Sequence, residues 1–253
     1  MGKRGGSGHM KREAAPQFWP IHRKEFHWAM KPRPGAHPTE QCIPLALILR
    51  EMLGYAKTRR EAKQIISQGK VKVDGKVRKD DLHAAGLMDV ISMTEIGRHF
   101  RILPSEKGLI LHPIDGTEAE FKLCRIEDKT TMKNGHVQLG LHDGRTILIH
   151  VGDPQNPEED IYGTLDTLKI KLDDQSILDH MKVAEGMFSV FTGGKNIGKY
   201  GEIISVENIG VKRRKSLVTI EDERGERYQT VLDYVFILGD EKSNISLPRQ
   251  EAD

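Results

Sequence analysis

The stretch that most restricts the fold runs from Thr58 to Lys79, Thr-Arg-Arg-Glu-Ala-Lys-Gln-Ile-Ile-Ser-Gln-Gly-Lys-Val-Lys-Val-Asp-Gly-Lys-Val-Arg-Lys, which spells a helix, a reversal and a hairpin in consecutive local code. Thr58 followed three residues later by Glu61 has the form of a capping box, in which each side chain satisfies a free backbone N–H of the first helical turn. Ala62, Ile65 and Ile66 fall at i, i+3 and i+4 on one face, with Arg60, Lys63, Gln64 and Ser67 on the other. Gly69 supplies the left-handed residue that commonly ends a helix. Val71 and Val73 then alternate with Lys70 and Lys72, as in a strand with one buried face. Asp74-Gly75 is a strong hairpin-turn signal before Lys76, Val77 and Arg78 return.

This geometry leaves Arg60, Lys63, Lys70, Lys72, Lys76 and Arg78 on the polar side of one small unit, with Lys57, Arg59 and Lys79 beside them. Charge runs are commonly solvated faces; the functional reading is a surface for phosphates. The stretch from Leu53 to Val77 resembles the S-four RNA-binding motif in its order of basic residue, Glu-Ala, Ile, Gly, strand, Asp-Gly and strand. That order is more specific than a patch of charge.

The net charge of +2 hides a polarity that supports the second reading. Residues 1–103 carry 20 Lys and Arg against 10 Asp and Glu, whereas residues 104–253 carry 19 against 27. One end is built to face a polyanion, and the other to face water or proteins. A membrane partner is not expected, since no apolar run approaches the roughly 20 residues of a spanning helix, and the first residues lack the apolar segment of a signal peptide. The expected location is the cytoplasm. Cys42 and Cys124 are isolated and have no Cys-x-x-Cys or His-rich partner, so two reduced, buried thiols are expected rather than a disulfide or zinc site.

Residues 1–41 read as a basic, aromatic extension. Lys3, Arg4, Lys11, Arg12, Arg23, Lys24, Lys31 and Arg33 are interleaved with Phe18, Trp19, Phe26 and Trp28, and prolines at 16, 20, 32, 34 and 38 prevent a long helix. Such a segment suits a tail that orders on RNA, with cations on phosphates and Trp19 and Trp28 stacked on splayed bases. Gly5-Gly-Ser-Gly-His9 also has the look of a disordered leader, against which the two tryptophans argue.

Pro44 fits a first helical turn, and Leu45, Ile48, Leu49, Met52 and Leu53 follow with helical spacing to form an apolar floor for the Thr58 helix. Gly86 to Met93 reads as a strand, Phe100 to Leu103 ends the unit, and Pro104 to Gly108 reads as a linker. Beyond it the texture is that of short strands, at 109–111, 121–126, 137–141, 146–151 and 168–172, broken by Asn134-Gly135 and Asp143-Gly144 turns.

Met187 to Val206 nearly spells a nucleotide-binding P-loop through Gly193, Gly198 and Lys199. Tyr200 replaces the hydroxyl residue that would hold magnesium, and Gly201 to Val206 reads as a strand where a P-loop needs a helix. Strand, glycine-rich loop, strand is instead similar to the KOW motif of small β-barrels. Its glycines permit close backbone approach, and Lys195, Asn196, Lys199 and Tyr200, with the basic loop Lys212, Arg213, Arg214 and Lys215, are candidate contacts to phosphates or protein.

Taken together, the order of parts closely resembles the archaeal and eukaryotic small-subunit ribosomal protein family S-four-e. The separated phrases Lys11–Pro16, Val73–Arg78, Gly86–Ile91, His142–Thr146, Val190–Gly194 and Ile245–Pro248 carry the match across nearly the whole chain. His83-Ala-Ala departs from the family pattern and puts that loop's conformation in question.

The resemblance implies a multi-domain α+β protein. Its parts would be an extension over 1–41, an S-four-type RNA-binding module over 42–104 and a mainly antiparallel β domain over 105–180. A small Src-homology-three-like (KOW) β-barrel over 181–238 and a tail over 239–253 would follow. It also implies small-subunit ribosomal RNA and neighbouring ribosomal proteins as partners, no cofactor or small-molecule substrate, and no catalysis. Two other classes remain to be weighed. An RNA-modifying enzyme needs a positioned acid, base or nucleophile, and Cys124 with His142 and Asp143 forms no recognisable constellation. A free KOW-type factor explains the barrel but not the other phrases.

Overall fold

The computed structural model of the chain describes residues 8–153, 158–207, 213–222, 224–240 and 242–248. Thr58 and Glu61 make the reciprocal cap: the Glu61 N–H donates to Thr58 Oγ1 at 3.3 Å, and the Thr58 N–H donates to Glu61 Oε2 at 3.3 Å. The helix Arg59–Ser67 then buries Ala62 and Ile66 against Leu45, Ile48 and Leu49 of the preceding helical segment, Leu45–Leu47 and its wider continuation Ile48–Met52. Thr58→Ala is expected to lower stability by about 1 kcal/mol, read as a lower urea midpoint at unchanged slope.

After the helix, Val71–Val73 and Lys76–Val77 pair around Asp74-Gly75 and extend into one antiparallel sheet with Val90–Met93, Arg98–Ser105 and Gly108–Ile114. The expected linker at 104–108 is therefore a hairpin turn, and the strand after it belongs to this sheet rather than to the next domain. Its apolar residues explain why: Phe100, Ile102, Leu109 and Leu111 all pack on the core around Ile66 and Val71. Gly108 adopts φ +118, and a Cβ there would lie 2.1 Å from Phe18 Cβ, so the turn accepts the N-terminal extension only as glycine. The departure at His83-Ala-Ala is also accounted for, because Ala84–Gly86 pairs as a strand with Cys42–Pro44.

From residue 8 onward the extension packs on the chain itself. Its short strands Met10–Lys11 and Trp28–Ala29 pair, and Trp19, only 3% exposed, joins the core of the helix–hairpin module. With little regular structure, its carbonyls find other donors. Arg23 donates to the carbonyls of Arg12, Glu13, Ala15 and Pro16 at 2.9–3.3 Å.

The central strand order runs Thr146–Ile149, Val137–Leu141, Phe121–Thr131, Thr167–Lys171, Ile177–Met181. The long middle strand pairs with Thr167–Lys171 through its first half and with Val137–Leu141 through its second. The last strand, Ile177–Met181, has no clear signature in the sequence.

The terminal unit is a five-stranded antiparallel meander, Phe188–Phe191, Tyr200–Glu207, Leu217–Glu221, Arg227–Val231, whose final strand Val235–Gly239 returns to pair with the first. This is the order of Src-homology-three-like barrels. The helix–hairpin module and the central sheet each keep a core of their own, around Ile66 and around Leu139, and a third cluster spans the units. One apolar cluster joins Met88 and Leu103 of the first sheet to Leu123, Leu165 and Met181 of the central one and to Phe191, Phe236 and Ile245 of the last.

Candidate nucleic-acid interface

The helix–hairpin module presents most of its expected cations to solvent. Lys57, Arg60 and Lys63 are exposed along the capped helix, and Lys76 and Lys79 are exposed on and after the return strand. Lys72 and Arg78 are half-buried. Arg59 pairs with Asp81 at 3.0 Å and Lys70 with Glu95 at 3.0 Å, which holds both in place while their exposed parts remain accessible. On the extension, Lys11 and Lys24 are exposed, Lys31 is half-buried, and Arg33 pairs with Asp80 at 3.1 Å. Trp28 stands 55% exposed beside Phe26 at 63%.

Three expected contacts have structural duties instead. Arg12 is buried, donating to the carbonyls of His22 and Trp28 and pairing with Glu25 at 3.4 Å. Arg23 spends its donors on four carbonyls. Trp19 lies in the core, its Nε1–H donating to the Cys42 carbonyl at 2.8 Å. Arg12 and Trp19 are buried and Arg23 is half-buried with its donors on carbonyls, so the chain's own packing engages all three.

The terminal loop is engaged in part within the chain as well. A Cβ at Gly198, at φ +84, would lie 2.6 Å from Ser105 Cα, so the close approach that its glycine permits is to the chain's own first sheet. Lys199 pairs with Glu106 across that contact at 3.0 Å and lies over the Tyr228 ring. Asn196 donates to the Gln229 carbonyl at 3.2 Å, and the Tyr200 hydroxyl to the Pro248 carbonyl at 2.6 Å. Arg214 is set among Glu127, Asp128 and Asp233 at 3.5–3.6 Å, which ties the terminal unit to the central one. Among the described residues of these loops, the exposed cations are Lys195, Lys215 and the ion-paired Arg214. Lys3, Arg4, Lys212 and the Arg213 side chain lie outside the described residues.

What the sequence did not disclose is how the basic module is held. Lys122, with no exposed surface, donates to Asp74 at 2.9 Å, Asp89 at 2.5 Å and Asp143 at 3.0 Å. Arg145 adds contacts to Asp74 at 2.6 Å and Asp143 at 3.1 Å, and His37 Nε2 lies 3.1 Å from both Asp89 oxygens. Asp74 is the turn residue of the basic hairpin, so the hairpin tip is clamped to the central domain, while the extension joins the same cluster through His37 on Asp89.

Burial works against the charge on Lys122, yet the three carboxylates more than offset it and hold its pKa well above the ordinary lysine value. Burial likewise opposes the Asp89 and Asp143 charges, and Lys122 outweighs it, drawing Asp89 below the usual carboxylate range and Asp143 down to about 2. Burial, aided by Lys122, lowers His142 to about 3. It is neutral, accepting from the Arg125 N–H and facing the Leu87 carbonyl. Cys124 sits 3.7 Å from Asp143, and burial raises its thiol far above the thiolate range. A protonated thiol and a non-basic imidazole make no nucleophile–base pair.

The clamp's carboxylates come from three of the phrases that carry the family resemblance, Val73–Arg78, Gly86–Ile91 and His142–Thr146. Each reads locally as a turn or strand. A usable signal was present in Asp89, a charge set between Met88 and Val90 in an apolar run.

Comparison with known proteins agrees with this layout. The RS4NT (NUC023) domain matches residues 4–40, the S4 domain 44–91 and Ribosomal family S4e 96–177. The chain is 51% identical to small ribosomal subunit protein eS4 of Staphylothermus marinus and 52% identical to that of Aeropyrum pernix, each over 98% of both chains. It is 45% identical to the eS4 of Methanocaldococcus jannaschii over 98% of this chain and 100% of that one. The crystal structure of the 30S ribosomal protein S4e from Thermoplasma acidophilum shares the fold with a TM-score of 0.65 at 28% identity, covering 79% of this chain and 96% of that chain. Identity near one half over the full length, on the same succession of modules, means that the chain belongs to ribosomal family S4e.

Proposed function

We propose that the chain is a structural constituent of the small ribosomal subunit, working on the ribosome in the cytoplasm and binding the subunit's rRNA without catalysis. The observation that carries this reading is the set of solvent-facing cations Lys57, Arg60, Lys63, Lys76 and Lys79 on one helix–hairpin unit, with that unit clamped to the rest of the chain through Asp74. A clamped cationic surface meets a folded phosphate backbone with little ordering cost, whereas flexible lysines lose much of their attraction to side-chain entropy. The acidic remainder of the chain suits contacts with basic neighbouring ribosomal proteins and repels stray RNA.

The test is co-sedimentation of the purified chain with small ribosomal subunits stripped of their own copy. Retention at about 0.1 M salt and release at about 1 M is the expected outcome, as counterion release demands. A chain that stays at the top of the gradient in low salt contradicts the proposal.

A further inference from the structure

Beside the helix–hairpin module, the extension forms a groove of about 270 Å³ whose lining includes the core residues Met30 and Leu47. Phe26 and Trp28 stand at its rim, and Arg12, Arg50 and Arg59 line it. The two aromatics are largely exposed, at 63% and 55%, although the same segment buries Trp19 to 3% and packs Phe18 on the core. Burying Phe26 and Trp28 was therefore within the segment's means, and they stand outside. Their setting is fixed rather than loose: the Arg12 guanidinium lies 5.0 Å from the Phe26 ring centre, His27 meets Trp28 edge-on at 4.5 Å, and Trp28 is held in register opposite Lys11.

We propose that this groove receives a single unstacked RNA base, stacked on Trp28 and Phe26, with its flanking phosphates on Arg50 and Arg59. The inference rests on the rRNA-binding reading and gives it a specific subsite. Aromatic faces beside guanidinium groups are the chemistry of single-strand recognition, because every base offers a π face and every linkage a charge. The volume lies below the roughly 300–1,000 Å³ that drug-sized ligands occupy. The three arginines of the lining are paired with Glu25, Glu51 and Asp81, and Lys11, Lys57 and Arg60, exposed nearby in the chain, add the positive charge that favours RNA over an apolar peptide.

The experiment titrates the full chain with a labelled single-stranded decaribonucleotide and, separately, with the blunt duplex of the same sequence. Anisotropy and tryptophan emission are recorded for wild type and Trp28→Ala. Because Trp28 is exposed, the variant is expected to keep the wild-type melting temperature. Single-strand affinity should fall about 5- to 150-fold, the range of one base–aromatic stack. Duplex affinity should stay unchanged, and the emission quench caused by the single strand should vanish. If wild type binds both RNAs in a salt-dependent way and Trp28→Ala binds both equally well, the subsite is wrong while the rRNA-binding reading stands. If wild type binds neither, both fall.

Discussion

Replacement of Lys122 by methionine is expected to destabilise the folded chain by about 3–5 kcal/mol at pH 7, the usual loss when one partner of a buried ion cluster is removed. Methionine keeps the length of the side chain, so the loss reports charge rather than a cavity. In the variant, Asp74, Asp89 and Asp143 remain in the interior, with Arg145 still paired to Asp74 and Asp143 and the His37 ring still on Asp89.

The pH dependence separates the two chains. Asp89 and Asp143 have depressed pKa values in the wild type, Asp143 about 2. Their stabilising contribution is therefore complete above the unfolded carboxylate value near 4 and is lost as pH falls toward 2. Without Lys122, burial dominates and raises these carboxyls, so the variant loses stability as pH rises through their new values. The gap between wild type and variant should be widest at neutral pH and narrow toward pH 4. Urea unfolding followed by circular dichroism across that range measures it. A gap that does not change with pH would mean that the cluster acts through packing alone. Adding Asp89→Asn to the variant should restore part of the loss, since it removes one of the stranded charges.

How much of this was legible follows from the range of the interactions involved. Thr58, Glu61, Ile66, Gly69 and Asp74-Gly75 encode helix, cap and hairpin within a few residues of one another, and these elements stand where the spacing places them. The Phe18–Gly108 contact and the Lys122 cluster join residues far apart in sequence, and no local pattern records them. Residues 104–108 read as a linker because Pro104 and Gly108 carry turn chemistry, and a turn inside a sheet has the same composition as a turn between domains. Among the site residues, charge type was readable but commitment was not. Arg12 and Arg23 look like Lys11 and Lys24 in the sequence, yet a proline-broken segment needs donors for its own carbonyls, and guanidinium groups with five N–H donors supply them.

Changing Arg60, Lys63, Lys76 and Lys79 together to alanine is expected to weaken rRNA binding by up to about three orders of magnitude at 0.1 M salt while leaving the fold intact. All four side chains are exposed and form no ion pair among those of the described residues, so each substitution should alter stability by no more than about 0.5 kcal/mol. Their effect on binding is electrostatic. Each phosphate contact contributes about 0.9 to the slope of log affinity against log salt. Four lost contacts flatten that slope by roughly 3.6 and make the two chains converge near 1 M salt. The measurement is a salt titration of affinity for small-subunit rRNA, with Lys122→Met run alongside. Alanine substitution should change the slope without changing the urea midpoint, and Lys122→Met should change the midpoint first. An unchanged slope in the fourfold variant would transfer the phosphate contacts to the extension or to Lys195 and Lys215. A simultaneous fall in midpoint would show that these cations support the fold they stand on.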